Sequence, residues 1–179
     1  MIVTLVGQMG AGKSTVGRLL AERWADLGFT FVDLDALIEA SAGARIADLF
    51  ATYGEAEFRV RERAALAGVL ARARVVLATG GGAPCEPGAM DLMITSGPVV
   101  WLDVAPSVLA ERVAGDDAGG RPLLAGLSTA ERAQFLATQR EARRPHYARA
   151  PWHVDAGRAA PEVAAEIDRL VGHLLRGIP

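Results

Sequence analysis

The chain reads as an α/β protein built on parallel strands, and three observations predict it. Five short apolar runs (Ile2–Val6 and residues 29–32, 75–78, 99–104 and 151–154) alternate with longer stretches of helical spacing. The first run is rich in β-branched residues and suits a strand buried on both faces. It leads directly into Gly7-x-x-x-x-Gly12-Lys13-Ser14, after which residues 16–24 continue with helical spacing. Strand, glycine loop and helix in that order are the context a phosphate-binding loop needs.

The remaining elements follow in turn. A first helix is expected over residues 13–27, stopped by Gly28. The second strand ends in Asp33-Leu34-Asp35, with helix-like residues 36–40 directly behind it. Carboxylates at the C-terminal end of a parallel strand lie where open α/β sheets place ligands. Asp35 has a second reading as a helix N-cap. Residues 44–53 and 55–72 predict two helices broken at Gly54, within which Glu55 with Arg59 and Glu57 with Arg61 are i, i+4 pairs. The third strand runs into Thr79-Gly80-Gly81-Gly82, and three glycines at a strand end suggest a ligand approaching the backbone closely. Residues 87–96 predict a helix, and another starts at Pro106, in its first turn. Residues 114–126 change character, with glycines around Asp116, Asp117 and Arg121-Pro122, and read as a mobile flap or as an ordinary loop. Ser128 to Glu131 forms a capping box opening a long helix to about Tyr147. An amphipathic helix over 161–175 closes the chain.

At 179 residues the chain is one domain's worth, with 51% hydrophobic and 22% charged residues. A net charge of −2 gives no reason to expect nucleic acid or an anionic membrane as partner. The single Cys85 excludes an internal disulfide and fits a reducing compartment. No apolar run approaches the ~20 residues of a membrane span, and the apolar start is claimed by the first strand, so a cytoplasmic protein is expected. The pI near 5.9 and the lack of an apolar surface stripe lean toward a monomer. None of the three histidines has metal-ligand spacing.

The glycine loop carries the clearest chemistry. Its backbone N–H groups (Gly10, Ala11, Gly12, Lys13, Ser14 and Thr15) would turn toward phosphate oxygens, helped by the positive end of the following helix. Lys13 would reach the β- and γ-phosphates of ATP, and the Ser14 hydroxyl would ligate Mg²⁺. Lys13 is the only lysine in a chain whose other basic residues, histidines aside, are all arginine. It sits where a compact ammonium suits a phosphate better than a guanidinium.

With these blocks in place, the chain resembles the shikimate kinase family over nearly its full length. The matching segments are Gly7-x-Met9-Gly10-x-Gly12-Lys13-Ser14-Thr15, Phe31-Val-Asp33-x-Asp35-x-x-Ile38, Gly54-Glu-x-x-Phe58-Arg59, Thr79-Gly80-Gly81-Gly82, Arg121-Pro-Leu-Leu124 and Arg143-x-Pro145-x-Tyr147. The resemblance implies a three-layer α/β/α fold with a five-stranded parallel sheet, of the P-loop, nucleoside-monophosphate-kinase-like type. It implies one domain over 1–179, with a substrate-binding helical segment at about 34–63 and a lid at about 114–126. It further implies phosphoryl transfer from ATP to the 3-hydroxyl of shikimate, a step toward chorismate and the aromatic amino acids. By the same carry-over Asp35, Arg59, Gly80, Gly81, Gly82 and Arg143 would bind shikimate, and Ser14 and Asp33 would hold Mg²⁺, Asp33 through water. Arg121 would close over the phosphates and Arg112 would stack on adenine. After the last strand the chain departs from the family's usual polar residues with Asp155-Ala-Gly-Arg158-Ala-Ala-Pro161, which leaves Arg158 as the adenine contact and Pro161 as its packing partner.

Lys13, Asp35 and Arg121 are the expected catalytic residues. A related small-molecule kinase acting on gluconate or a nucleoside monophosphate is the nearest alternative, since Arg59 and Arg143 would accept a phosphate as readily as a carboxylate. A GTPase-type switch is disfavoured, because a chain without asparagine cannot carry the Asn-Lys-x-Asp guanine motif.

Overall fold

The computed structural model describes residues 1–114 and 127–176. Strands β1 (Ile2–Val6), β2 (Thr30–Asp33), β3 (Val75–Ala78), β4 (Val99–Asp103) and β5 (Trp152–Asp155) form one sheet in the order β2-β3-β1-β4-β5, and every pairing is parallel. Around it lie helices α1 (Lys13–Arg23), α2 (Leu34–Ala42), α3 (Ile46–Leu70), α4 (Ala89–Ser96), α5 (Pro106–Ala114), α6 (Thr129–Tyr147) and α7 (Ala160–Arg176).

The alternation of strand side chains divides the core in two. Val3, Leu5, Val76, Val100, Leu102 and Val154 join one apolar cluster with residues of α1, α5 and α7. Ile2, Val6, Val75, Leu77, Val99 and Trp101 join the other with residues of α2, α3 and α4. A sheet apolar on both faces needs a helical layer on each, and the expected three-layer α/β/α build results. Packing is close where α1 crosses β2: a Cβ on Gly17 would fall 2.5 Å from the Phe31 ring.

Several expected boundaries shift for local reasons. The first helix ends at Arg23, and a single 3-10 turn (Ala25–Leu27) leads to Gly28 in the left-handed region (φ 77). The predicted break at Gly54 is present as a kink (φ 76, ψ 174) inside α3. Residues 87 and 88 precede α4 instead of joining it, with Gly88 left-handed at its N-cap. The second helix starts two residues earlier than expected, and its N-cap is Asp33, whose carboxylate accepts from the N–H groups of Asp35 and Ala36. The capping alternative for Asp35 is thereby corrected, which leaves its carboxylate available for other chemistry. The capping box at Ser128 and Glu131 forms as expected. The flap expected over 114–126, Arg121 included, falls almost wholly on residues 115–126 and lies outside the described residues. Among the described residues no helix is long and apolar enough to cross a membrane.

Candidate active site

Parallel pairing brings the C-terminal ends of all five strands to one edge of the sheet, and the candidate site lies along it. The central strand β1 leads directly into Gly7, whose φ of 142 and close approach to the Leu102 carbonyl leave no place for a side chain; a Cβ would fall 2.7 Å from that oxygen. Gly12 is left-handed (φ 89) at the N-cap of α1, with open space where its Cβ would point. The loop between them lines a cleft of about 620 Å³ together with Asp33, Asp35, Thr79, Gly81, Arg112 and Arg158. Lys13 stands almost wholly buried at its floor, its ammonium donating to the carbonyls of Gly7 (2.8 Å) and Gln8 (2.7 Å). This is a cradle of amides with a cation beneath it, suited to a polyanion.

Two carboxylates leave β2 in different environments. Asp33 accepts the Ser14 hydroxyl through Oδ2 at 2.5 Å while Oδ1 caps α2. It thus ties the loop to the start of the helix that bears Asp35. Asp35 has a pKa raised from 3.8 to about 6. Burial is the main cause, and the charges of Asp33, Glu62 and Glu39 add to it, while Lys13 pulls the other way.

The triple glycine after β3 is the floor of a second compartment. None of the three has a positive φ, so space rather than backbone conformation demands them. A Cβ on Gly80 would fall 2.6 Å from Asp35 Oδ1, on Gly81 2.9 Å from Arg143 Nη1, and on Gly82 2.7 Å from Arg59 Nη1. Residues from α2, α3 and α6 therefore converge on one turn. The room the glycines make is occupied by these side chains themselves, which refines the expectation of a ligand lying directly on the backbone. Arg59 donates to Glu62 (2.6 Å) and Glu55 (2.9 Å) and lies 3.4 Å from Glu86. Burial opposes its charge, and the hydrogen bonds and negative charges of Glu62 and Glu55 together more than offset that.

The resemblance grouped Asp35, Arg59, Arg143 and the three glycines, and these are neighbours at one turn, while Asp33 stands apart at the phosphate loop. Glu57 and Arg61 form only the helix-surface pair expected of them. Two members of the compartment were not recognised as such. Glu62 is 2% exposed, beside both Arg59 and Gly80, and burial raises its pKa; its signal was the i, i+3 spacing from Arg59. Tyr147, fully buried, donates its hydroxyl to the Gly81 carbonyl at 2.6 Å, and its place four residues after Arg143 put it on the same helix face.

On the far side of the cleft Arg112 Nη2 donates to the Arg158 carbonyl at 3.2 Å. The Arg158 guanidinium is itself engaged, paired with Glu166 and donating to the Asp155 carbonyl. Pro161 is exposed and does not line the cleft; Ala159, Ala160 and Val163 supply the apolar wall instead. The turn into α7 directs its small residues inward and leaves the proline ring outside.

Comparison with known proteins points to a single family. The shikimate kinase family model matches residues 9–171. The shikimate kinase of Symbiobacterium thermophilum is 45% identical over 170 residues, covering 93% of this chain and 94% of its own. A shikimate kinase structure from Bacteroides thetaiotaomicron superposes with a TM-score of 0.89 at 34% identity, covering 96% of this chain and 98% of that one. Another, from Acinetobacter baumannii in complex with shikimate, gives 0.85 at 35% identity, covering 99% and 95%. With a family match across most of its length and relatives this similar end to end, the chain belongs to the shikimate kinase family.

Proposed function

We propose that this chain transfers the γ-phosphoryl group of ATP in line to the 3-hydroxyl of shikimate, giving shikimate 3-phosphate and ADP on the route to chorismate. The observation that carries the proposal is the position of Asp35. Its carboxylate shares one cleft with the phosphate loop, feels the Lys13 charge, and sits against Gly80 in the turn where Arg59 and Arg143 converge. An acceptor bound there would have its hydroxyl between Asp35 and the loop.

The division of labour follows. The amides of residues 10–15 and Lys13 take the triphosphate, while Arg112 and the wall of Ala159, Ala160 and Val163 take the base and ribose side. Arg143 offers a planar donor pair to the shikimate carboxylate, Arg59 adds the N–H groups that Glu62, Glu55 and Glu86 leave over, and Asp35 accepts from the acceptor hydroxyls. The Ser14 hydroxyl and Asp33 are hard oxygen donors in contact, and they fit Mg²⁺. Among the described residues no group of three or more His, Cys, Asp or Glu could hold a metal by itself. That suits an ion bound mainly by phosphates and water. Bound with ATP, the ion would neutralise charge on the phosphate oxygens. Because the transition state of such transfers is loose, positioning and charge stabilisation dominate, and Asp35 orients the hydroxyl more than it must deprotonate it. Residues 34–63 serve as the acceptor-binding segment and 114–126 as the lid, with Arg121 completing the phosphate site.

The test is ADP release measured by a coupled assay with shikimate, gluconate and nucleoside monophosphates as acceptors, with and without EDTA. Turnover confined to shikimate, and lost with EDTA, is expected. Absence of turnover with shikimate overturns the proposal.

A further inference from the structure

Arg143 sits on a stripe of α6 whose other members are held by tertiary contacts. Leu136, Arg140, Arg143 and Tyr147 follow at intervals of four, three and four residues, which keeps them on one helix face. The Leu136 carbonyl accepts from the Gln8 side-chain amide, in the loop after β1, at 2.8 Å. Arg140 grips Asp103, at the end of β4, with Nε at 3.2 Å and Nη2 at 3.0 Å from Oδ1 and Nη2 at 2.9 Å from Oδ2. Tyr147 closes the stripe on the Gly81 carbonyl.

The helix cannot place Arg143 by its own backbone alone. Pro145 lies within it and has no N–H to offer the carbonyl four residues back, so the ladder is interrupted just where Arg143 projects. Tyr147 anchors the helix below that gap and Arg140 anchors it above. An ion pair with its side chains 24% and 34% exposed contributes little to global stability, even with a fork-like grip. It does determine where the next turn of the helix stands over the sheet edge.

We propose that Asp103 and Arg140 form a positioning pair for Arg143. They set the distance between its guanidinium and the Gly81 turn, and thereby the affinity for a carboxylate-bearing acceptor. The inference rests on Arg143 being an acceptor-carboxylate ligand. A misplacement of about 1 Å at such a contact is enough to lower activity by as much as about a hundredfold, so a partial loosening should be readable.

The test is steady-state kinetics on Arg140→Met, Arg140→Lys and Asp103→Asn, with Arg143→Met as reference and thermal unfolding in parallel. Arg140→Met and Asp103→Asn are expected to raise the KM for shikimate by roughly 5- to 20-fold, with kcat and the KM for ATP within about twofold. Arg140→Lys keeps the charge and loses the fork, and its KM should lie between wild type and Arg140→Met. The double variant combining Arg140→Met with Asp103→Asn should be no worse than the more affected single, because both remove one contact. A fall in melting temperature with the shikimate KM unchanged, an equal rise in both KM values, or additive effects in the double variant overturns the proposal. If Arg143→Met raises the shikimate KM and Arg140→Met does not, the positioning role alone falls. If neither variant moves it, the reading of Arg143 as an acceptor ligand falls as well.

Discussion

Replacing Asp35 by Asn should stabilise the ligand-free protein while weakening acceptor binding. The Asp35 carboxyl has a pKa of about 6 in the folded chain against an ordinary value of 3.8. At about 1.4 kcal/mol per pH unit, ionising it in place costs about 3 kcal/mol of folding stability at neutral pH. The sign follows from the direction of the change. Below pH 3.8 the carboxyl is protonated in both folded and unfolded chains, and the stabilising contribution of its neutral form is fully present. That contribution is lost as pH rises through about 6, and above that the full penalty applies. Asn keeps the shape and carries no such penalty. The variant should therefore melt higher than wild type by roughly 6–12 °C at pH 8 for a chain of this size, with the gain shrinking toward zero near pH 4. Thermal unfolding without nucleotide or metal, at pH 4, 6 and 8, measures this. An unchanged melting temperature at pH 8, or an equal gain at pH 4 and pH 8, would show that Asp35 is not held ionised against its surroundings. The same protein should show a raised KM for shikimate. If turnover at saturation stays near normal, Asp35 orients the acceptor and does not act as an obligatory base.

Two glycine substitutions separate the two compartments. Gly80→Ala puts a Cβ 2.6 Å from Asp35 Oδ1 and 3.1 Å from Glu62 Oε1, both at the ends of side chains that are able to move. It should raise the shikimate KM by at least about tenfold, leave the KM for ATP unaltered, and change the melting temperature little. Gly7→Ala meets the Leu102 carbonyl at 2.7 Å, in backbone that cannot yield cheaply, at a φ that side chains rarely adopt. It should lower stability by roughly 1–3 kcal/mol and weaken nucleotide binding, read by chemical denaturation and ADP titration.

Much of the fold was legible because its signals are local. The β-branched runs mark strands buried on both faces, Gly28 and Gly54 mark a stop and a kink, and Ser128 with Glu131 marks a helix start. The errors were local as well. Asp33 and Asp35 are both N-cap types at the strand-to-helix junction, and the choice between them depends on where the helix begins, two residues before the pattern suggested. Pro161 and Ala160 are equally apolar neighbours in the sequence, and only the turn into α7 decides which one faces the cleft.

By itself the sequence determined the donor chemistry. A strand, a glycine loop, a lone lysine and a helix are contiguous, so their geometry follows from bonds and φ/ψ preferences within a dozen residues. The acceptor compartment was a matter for the tertiary structure. Asp35, Arg59, Gly80 to Gly82 and Arg143 come from four separate segments, and the parallel sheet brings them to one edge. Their identities suggested a carboxylate site through family resemblance. The buried Glu62 beneath Arg59, the Tyr147 hydroxyl on Gly81 and the Arg140–Asp103 grip arise from how helices pack across that edge. The triple glycine shows the difference most plainly. In the sequence it signals that something must come close, and the fold supplies what comes: Asp35, Arg143 and Arg59, one against each glycine.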